Sequence, residues 1–350
     1  MRHMRKRLFI WSAAIAGSLI VATLAGAEKL LLINGAGATF PYPIYSKWFA
    51  EYAKVNPTVN FNYQSIGSGG GVRQIIAKTV DFGASDGPMT TDELKQVPAP
   101  VLHLPTVLGG VVVTYNIPGI ETKLNFTQKA LADIFLGKIK RWDDAALAGA
   151  NAGMPLPPQP IVVIHRSDGS GTTYIWTDFL SKISSAWSNV VGRGKSVNWP
   201  VGLGGKGNEG VAGLVKQTPY AIGYVELGYA LQNRLAYGRV ENAAGEFAEC
   251  TLESVTQAAA SVVEKMPADF RVSITNAPGR GTYPIASFTW LLVYRDQEDP
   301  VKGEALLSFL KWMLHDGQQL VGPLGYAPLP PEVVKLEEVA IGQITIKARN

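Results

Sequence analysis

Three features of this sequence predict an α/β protein of two lobes, built on open mixed sheets with helices on both faces. Short β-branched runs alternate with amphipathic helical stretches, and glycine-rich loops sit where one passes into the other. The chain is longer than a single hydrophobic core usually supports. Two long apolar stretches, residues 111–115 and 287–294, lie far apart and suit a pair of strands crossing between lobes. This layout predicts a discontinuous first lobe, residues 28–110 with 287–350, and a second lobe, residues 111–286.

Residues 1–27 read as a leader, a signal peptide outside the fold. Arg2, Arg5, Lys6 and Arg7 make a basic start, residues 8–24 are mostly apolar, and Ala25-Gly26-Ala27 has the small-residue pattern of a cleavage site. Cleavage after Ala27 is expected. A membrane anchor is the alternative, since the apolar stretch is near the lower limit for spanning. The small residues at its end favour cleavage, and no cysteine stands at the cut to take a lipid. Cleavage would remove four of the 32 basic residues and none of the 28 acidic ones, leaving a formally neutral chain. Such a chain has no broad pull toward nucleic acid or acidic membranes, so any anion site must be local. Cys250 is the single cysteine, which excludes an intramolecular disulfide, and no Cys/His cluster suggests a metal.

The elements follow in order. Residues 30–33 read as a first strand. A loop through Gly35, Gly37 and Thr39 leads to Pro41 and Pro43, which open a helix carrying Tyr45, Trp48, Phe49 and Tyr52 on one stripe. Asn56-Pro57 ends it. Residues 61–66 are strand-like. The loop Gly67-Ser68-Gly69-Gly70-Gly71 and a helix bearing Val72, Ile75, Ile76 and Val80 come next, then a short strand at 81–86 that ends in a carboxylate. This β-loop-α-β-loop-α-β pattern is that of an open, mostly parallel sheet, whose ligands bind at the carboxyl ends of strands. Residues 124–147 read as helical with a break at Gly137, and 149–160 as a Gly/Pro-rich loop. Residues 179–191 continue a helix, with Trp187 in the core. A strand at 221–227, a polar surface loop at 238–249 and a helix at 255–263 precede the return strand. Leu306, Leu310, Met313 and Leu320 mark a final amphipathic region.

The stretch Arg166-Ser167-Asp168-Gly169-Ser170-Gly171-Thr172-Thr173 follows a β-branched run at 161–164 and opens a helix carrying Ile175, Phe179 and Ile183. Glycines let backbone N–H groups turn inward, a helix start leaves N–H donors free, and Ser170, Thr172 and Thr173 add hydroxyls. Arg166 adds a guanidinium fork. These parts suit a small oxyanion. They equally suit an ordinary helix cap beside a surface arginine. Three such glycine and hydroxyl turns in one chain are harder to explain by capping alone.

Other motifs point nowhere. Gly202-Leu203-Gly204-Gly205-Lys206-Gly207 matches GxGxxG, and Glu226 stands near the spacing of a ribose acid. However, only residues 197–201, interrupted by Pro200, precede it, and the helix at 210–217 is short, so dinucleotide binding fits poorly. A serine-hydrolase elbow fails because Asp168 stands where its first glycine belongs. His103, His165 and His315 are scattered, no phosphate-binding P-loop exists, and no catalytic residue is assigned.

Several segments occur together in one order: Gly35-Ala36-Gly37-Ala38-Thr39-Phe40-Pro41, Gly67-Ser68-Gly69-Gly70-Gly71-Val72, Asp81-Phe82-Gly83-Ala84-Ser85-Asp86 and Asp168-Gly169-Ser170-Gly171-Thr172. Leu136-Gly137-Lys138-Ile139-Lys140-Arg141-Trp142-Asp143, the 202–208 segment and Tyr326-Ala327-Pro328-Leu329-Pro330 extend the set. The whole closely resembles the periplasmic phosphate-binding protein family of the high-affinity phosphate ABC transporter. The resemblance implies a type II-like periplasmic binding fold with two crossover strands, closing on one inorganic phosphate. It implies ligand contacts from Thr39 and Phe40 (backbone N–H, and the Thr39 hydroxyl), Ser68, Arg166, Ser170, Gly171 and Thr172. Asp86 would accept a proton from the ligand, and Asp168 would hold Arg166. It also implies a periplasmic, monomeric, non-enzymatic receptor without cofactor or metal, whose partners are phosphate and membrane permease subunits. Two departures from the family stand out: Gly69 where a serine is common, and His165 where a basic residue is common. The second leaves the charge around Arg166 open. A receptor for another tetrahedral oxyanion, such as sulfate or molybdate, and a phosphate-ester hydrolase are the competing readings.

Overall fold

The computed structural model describes residues 30–120 and 122–348. The expected leader, residues 1–27, lies outside the described residues. The chain begins with β1 (Leu31–Gly37), α1 (Tyr42–Val55), β2 (Val59–Ser65), α2 (Ser68–Ile76) and β3 (Phe82–Ser85). Next come α3 (Thr91–Leu94) and the long β4 (Val101–Asn116). The middle supplies β5 (Asn125–Phe126), α4 (Gln128–Phe135), α5 (Ala145–Ala150), β6 (Val162–Arg166), α6 (Gly171–Ile183) and α7 (Ser185–Val190). It continues with β7 (Leu203–Gly205), α8 (Gly207–Gln217), β8 (Ala221–Glu226) and α9 (Leu227–Asn233). Short strands β9 (Ala236–Tyr237), β10 (Arg239–Glu241) and β11 (Phe247–Ala248) precede α10 (Leu252–Val263) and β12 (Ala286–Tyr294). The chain closes with β13 (Asp296–Gln297), α11 (Pro300–Leu314), two 3-10 turns, α12 (Pro331–Ile341) and β14 (Thr345–Ile346).

The main sheet runs β2-β1-β3-β12-β4-β8-β6-β7, with β9 added against β4. β1 is parallel to β2 and β3, as the repeated strand-helix pattern predicts. β12 lies antiparallel between β3 and β4, so the sheet is mixed. On the far side β6 is parallel to both β8 and β7. β4 changes partners along its length: Val101 to Gly110 pair with β12, and Val111 to Asn116 pair with β8. One continuous strand therefore serves both halves of the sheet.

β4 starts ten residues before the apolar run that signalled it. Pro105 lies inside it and has no N–H to give the ladder. The register against β12 shifts there, with Thr289 opposite Val107 and Trp290 opposite Pro105, a bulge at Thr106. The stretch 124–147 is not helical throughout: it opens with β5, which pairs with β10, and then divides into two helices because Thr127 and Asp144 each accept from a backbone N–H and start a new one. Ser184 likewise separates α6 from α7. The segment at 238–249 holds β10 and β11, and β10 pairs in parallel with β5. Residues 197–201 form no strand, and β7 falls inside the GxGxxG segment itself.

The core is one large cluster reaching across the sheet, with a smaller second cluster of Val72, Ile75, Met89, Leu292 and Tyr294. Trp48 and Phe82 are fully buried on one side; Trp142, Trp176, Trp187 and Tyr224 are fully buried on the other. A buried indole or phenyl ring removes about 150–250 Å² from water, worth about 5 kcal/mol gross at the usual coefficient, against about 0–1 kcal/mol for an exposed ion pair. Aromatic packing, not the surface ion pairs, holds the fold. It carries the strand ends, and with them the site.

Candidate functional site

The carboxyl ends of β1, β2, β3, β6 and β7 open onto one place. Local rules explain each turn. Gly67 takes φ +84 and starts α2 without a side-chain cap. Gly37 adopts φ +146 where a Cβ would strike the Ala84 carbonyl. Ser170 caps α6 by accepting from the Thr173 N–H at 3.0 Å. Thr39, Phe40, Ser68, Asp86, Arg166, Ser170 and Thr172 are all buried, so polar groups from distant parts of the chain meet away from bulk water. The turns touch directly: the Gly69 N–H donates to the Gly169 carbonyl at 2.8 Å.

Among the described residues Arg166 is the one cation at the centre. Its Nε donates to Asp168 Oδ1 at 2.8 Å and its Nη2 to Asp168 Oδ2 at 2.5 Å, a bidentate clamp that fixes the fork. Asp168 also accepts from the Gly207 N–H at 3.0 Å. Its burial works against ionisation, but Arg166 overrides that and holds the carboxyl below its usual range. Arg166 Nη1 donates to Thr172 Oγ1 at 3.3 Å. The guanidinium still has donors to spare. His165 resolves the question its position raised. It stacks on Trp199 with ring centroids 4.7 Å apart, and burial lowers its pKa from the ordinary 6.5, so it is neutral at pH 7. His165 therefore adds no charge beside Arg166.

Asp86 ends β3 with the opposite electrostatics. Its Oδ1 accepts from the Thr289 hydroxyl at 2.8 Å and its Oδ2 from the Ser68 hydroxyl at 3.3 Å, while its N–H donates to Ser68 Oγ at 3.1 Å. Burial pushes its carboxyl up to about 7, against the pull of the Thr289 bond, the Arg166 charge and the Ser68 bond. A carboxyl poised there can hold or share a proton near neutrality.

The remaining donors are open. The backbone N–H groups of Thr39, Phe40, Gly171 and Thr172 have no protein acceptor among the described residues. The peptide carrying the Phe40 N–H is fixed from the far half of the sheet, because Tyr229 donates its hydroxyl to the Thr39 carbonyl at 2.6 Å. Tyr326 does the same for the Phe40 carbonyl at 2.7 Å. Glu226, fully buried, accepts from the Gly228 N–H at 2.9 Å and lies 3.0 Å from the Tyr326 hydroxyl, and burial raises it to about 8. A site with one clamped guanidinium, several unused N–H groups, oriented hydroxyls and one proton-accepting carboxyl can hold a compact, protonated oxyanion.

The sequence model of the PBP superfamily domain matches residues 16–316. The phosphate-binding protein PstS of Pasteurella multocida is 46% identical to this chain, over 91% of this chain and 92% of its own length. The chain belongs to the PstS family. The PstS of Haemophilus influenzae is 49% identical over 86% of this chain and 90% of its own. Among solved structures, a human phosphate binding apolipoprotein shares the fold with a TM-score of 0.70 at 20% identity, over 89% of this chain and 93% of that one. The α/β fold expected from the family resemblance is thus the fold observed.

All nine residues singled out from the sequence, Asp168 included, come together. Among them Ser68 donates its hydroxyl to Asp86 at 3.3 Å. The sequence reading missed Asn208, Thr289, Tyr229, Tyr326 and Glu226 as parts of the site. It also missed the far rim, where Lys195 donates to Glu93 at 2.8 Å and to the Pro88 carbonyl at 3.2 Å, and Arg271 donates to the Met89 carbonyl at 3.0 Å. Asn208 and Glu226 carried a signal as the residue after the glycine motif and the carboxylate 19 residues beyond it, and Tyr326 as the first residue of the Tyr326-Ala327-Pro328-Leu329-Pro330 segment; Thr289 and Tyr229 carried none.

Proposed function

We propose that this chain is an extracytoplasmic solute-binding protein that captures inorganic phosphate in a cleft between two lobes and delivers it to an ABC-type phosphate permease. The observation that carries this reading is the burial in one place of Arg166, locked by Asp168, and of Asp86, which Thr289 and Ser68 hold and burial pushes up to about 7. Arg166 and the free N–H groups offer charge and donors to the anion. Asp86 offers an acceptor to the proton that phosphate, unlike sulfate, keeps near neutral pH. The PstS name of the relatives points the same way.

In this reading Thr39, Phe40, Ser68, Arg166, Ser170, Gly171 and Thr172 donate to phosphate and Asp86 accepts. The lobes are residues 28–110 with 287–350, and 111–286, and the change of β4 partners at Gly110 supports that division. The mature chain starts at Glu28 in the periplasm and acts as a monomer without catalysis. Among the described residues no helix is long and apolar enough to cross a membrane. Calorimetric titration with phosphate, sulfate and arsenate tests the ligand: phosphate and arsenate should bind and sulfate should not. Sulfate binding as tight as phosphate would sink the phosphate reading, and turnover of a phosphate ester would sink the non-enzymatic one.

A further inference from the structure

Asn208 follows the glycine motif at the start of α8 and is fully buried. Its side-chain orientation is not arbitrary. Oδ1 accepts from the Glu226 backbone N–H at 3.0 Å, and that group can only donate. The Nδ2 amide must therefore face the other way, where it donates to Thr39 Oγ1 at 2.8 Å and to Thr172 Oγ1 at 3.0 Å. Those two hydroxyls belong to different turns, one on each side of the point where β4 changes partners. Each receives a second donor as well. The Asn208 N–H reaches Thr39 Oγ1 at 3.3 Å, and Arg166 Nη1 reaches Thr172 Oγ1 at 3.3 Å.

A hydroxyl has one proton and two lone pairs. With both lone pairs engaged, it has no acceptor capacity left and can only donate. Neither threonine donates its own proton to any protein atom among the described residues. We infer that Asn208 is a positioning residue that makes Thr39 and Thr172 obligate donors to the bound anion. The inference rests on the phosphate reading and deepens it. The two hydroxyls greet only unprotonated phosphate oxygens, so the proton of the ligand is steered to Asp86, the one acceptor in the set. Ser170 is biased the same way by its own cap, accepting from Thr173 N–H. The selectivity for a protonated anion thus belongs to a polarity pattern that Asn208 imposes from outside the contact shell, as well as to Asp86.

A double-mutant cycle tests this. Phosphate affinity is measured by calorimetry for the wild type, Asn208→Ala, Thr39→Val and the double variant, with ligand-free melting as a check on folding. Asn208→Ala should weaken phosphate by at least about tenfold. Because part of its effect runs through the Thr39 hydroxyl and the rest through Thr172, Asn208→Ala should cost at least about threefold less affinity in the Thr39→Val background than in the wild type. Losses that multiply, or an Asn208→Ala affinity equal to wild type, would overturn the inference while leaving the phosphate reading intact. A wild type that does not bind phosphate would remove that reading and this inference together. Neutron diffraction of the wild type with phosphate reads the same point without any variant. The Thr39 and Thr172 deuterons should lie toward the ligand, and either one lying toward Asn208 Nδ2 refutes the proposal.

Discussion

Gly171 sits so close beneath Asp86 that a single added carbon would collide with both the Asp86 carboxylate and the Ser68 hydroxyl. Its φ is not in the left-handed region, so alanine suits the backbone at this first position of α6. The cost of Gly171→Ala therefore falls on the meeting of the turns and not on the helix. Overpacking of this kind costs about 1–3 kcal/mol. Phosphate affinity should fall by about tenfold or more, with ligand-free melting little changed. Calorimetry beside thermal denaturation checks it, and equal affinity would mean that the turns do not need to meet.

Asp86→Asn should compress selectivity. An amide can accept or donate, so it no longer penalises an anion without a proton. The phosphate-over-sulfate affinity ratio should fall by at least about tenfold, or roughly 1.4 kcal/mol, with phosphate still bound. An unchanged ratio in competition titrations would reduce Asp86 to a turn residue.

Arg166→Ala should be the most damaging single change. Truncating one partner of a buried, hydrogen-bonded charge contact costs about 2–5 kcal/mol, and here it also strands Asp168. Arg280→Ala, a highly exposed arginine ion-paired to Glu246, serves as the control and should leave phosphate affinity unchanged. Similar losses in both would place the anion elsewhere.

Glu226 gives a stability signature in pH. Its carboxyl is about 8 in the fold and near 4.5 when unfolded. Between those values the native state holds the proton that the unfolded state has lost, so this group subtracts stability as pH rises through the window. Above about 8 the penalty is complete and constant. Glu226→Gln removes it while keeping an acceptor for Gly228 N–H. The melting temperature of phosphate-free Glu226→Gln, relative to wild type, should climb from pH 5 to pH 8 and then level off. A difference independent of pH would show that Glu226 is ionised throughout.

The parts of the site legible in the sequence were those written locally. Arg166 and Asp168 are two residues apart, Ser170 to Thr172 follow at once, and Asp86 closes a short strand. The sheet pattern was legible for the same reason, since each strand-turn-helix unit announces itself within about 30 residues. Asn208 contacts Thr39 across 169 positions, Tyr229 across 190 and Thr289 reaches Asp86 across 203. No local periodicity marks such residues, because their role exists only once β4 and β12 have brought the strand ends together. The short β10 and β11 read as loop because strands of two or three residues are too brief to show an alternation, and the parallel partner of β10, β5, lies over a hundred residues upstream.

The bond from the Gly69 N–H to the Gly169 carbonyl joins the two turns main chain to main chain, with no side chain involved. One amide proton in the chain is therefore shielded from solvent only while the turns are in contact. Its hydrogen-exchange rate becomes a clock for how often the cleft gapes, readable at one residue and without substitutions. Phosphate should slow that clock in proportion to its occupancy, while amides inside β1 keep their own time.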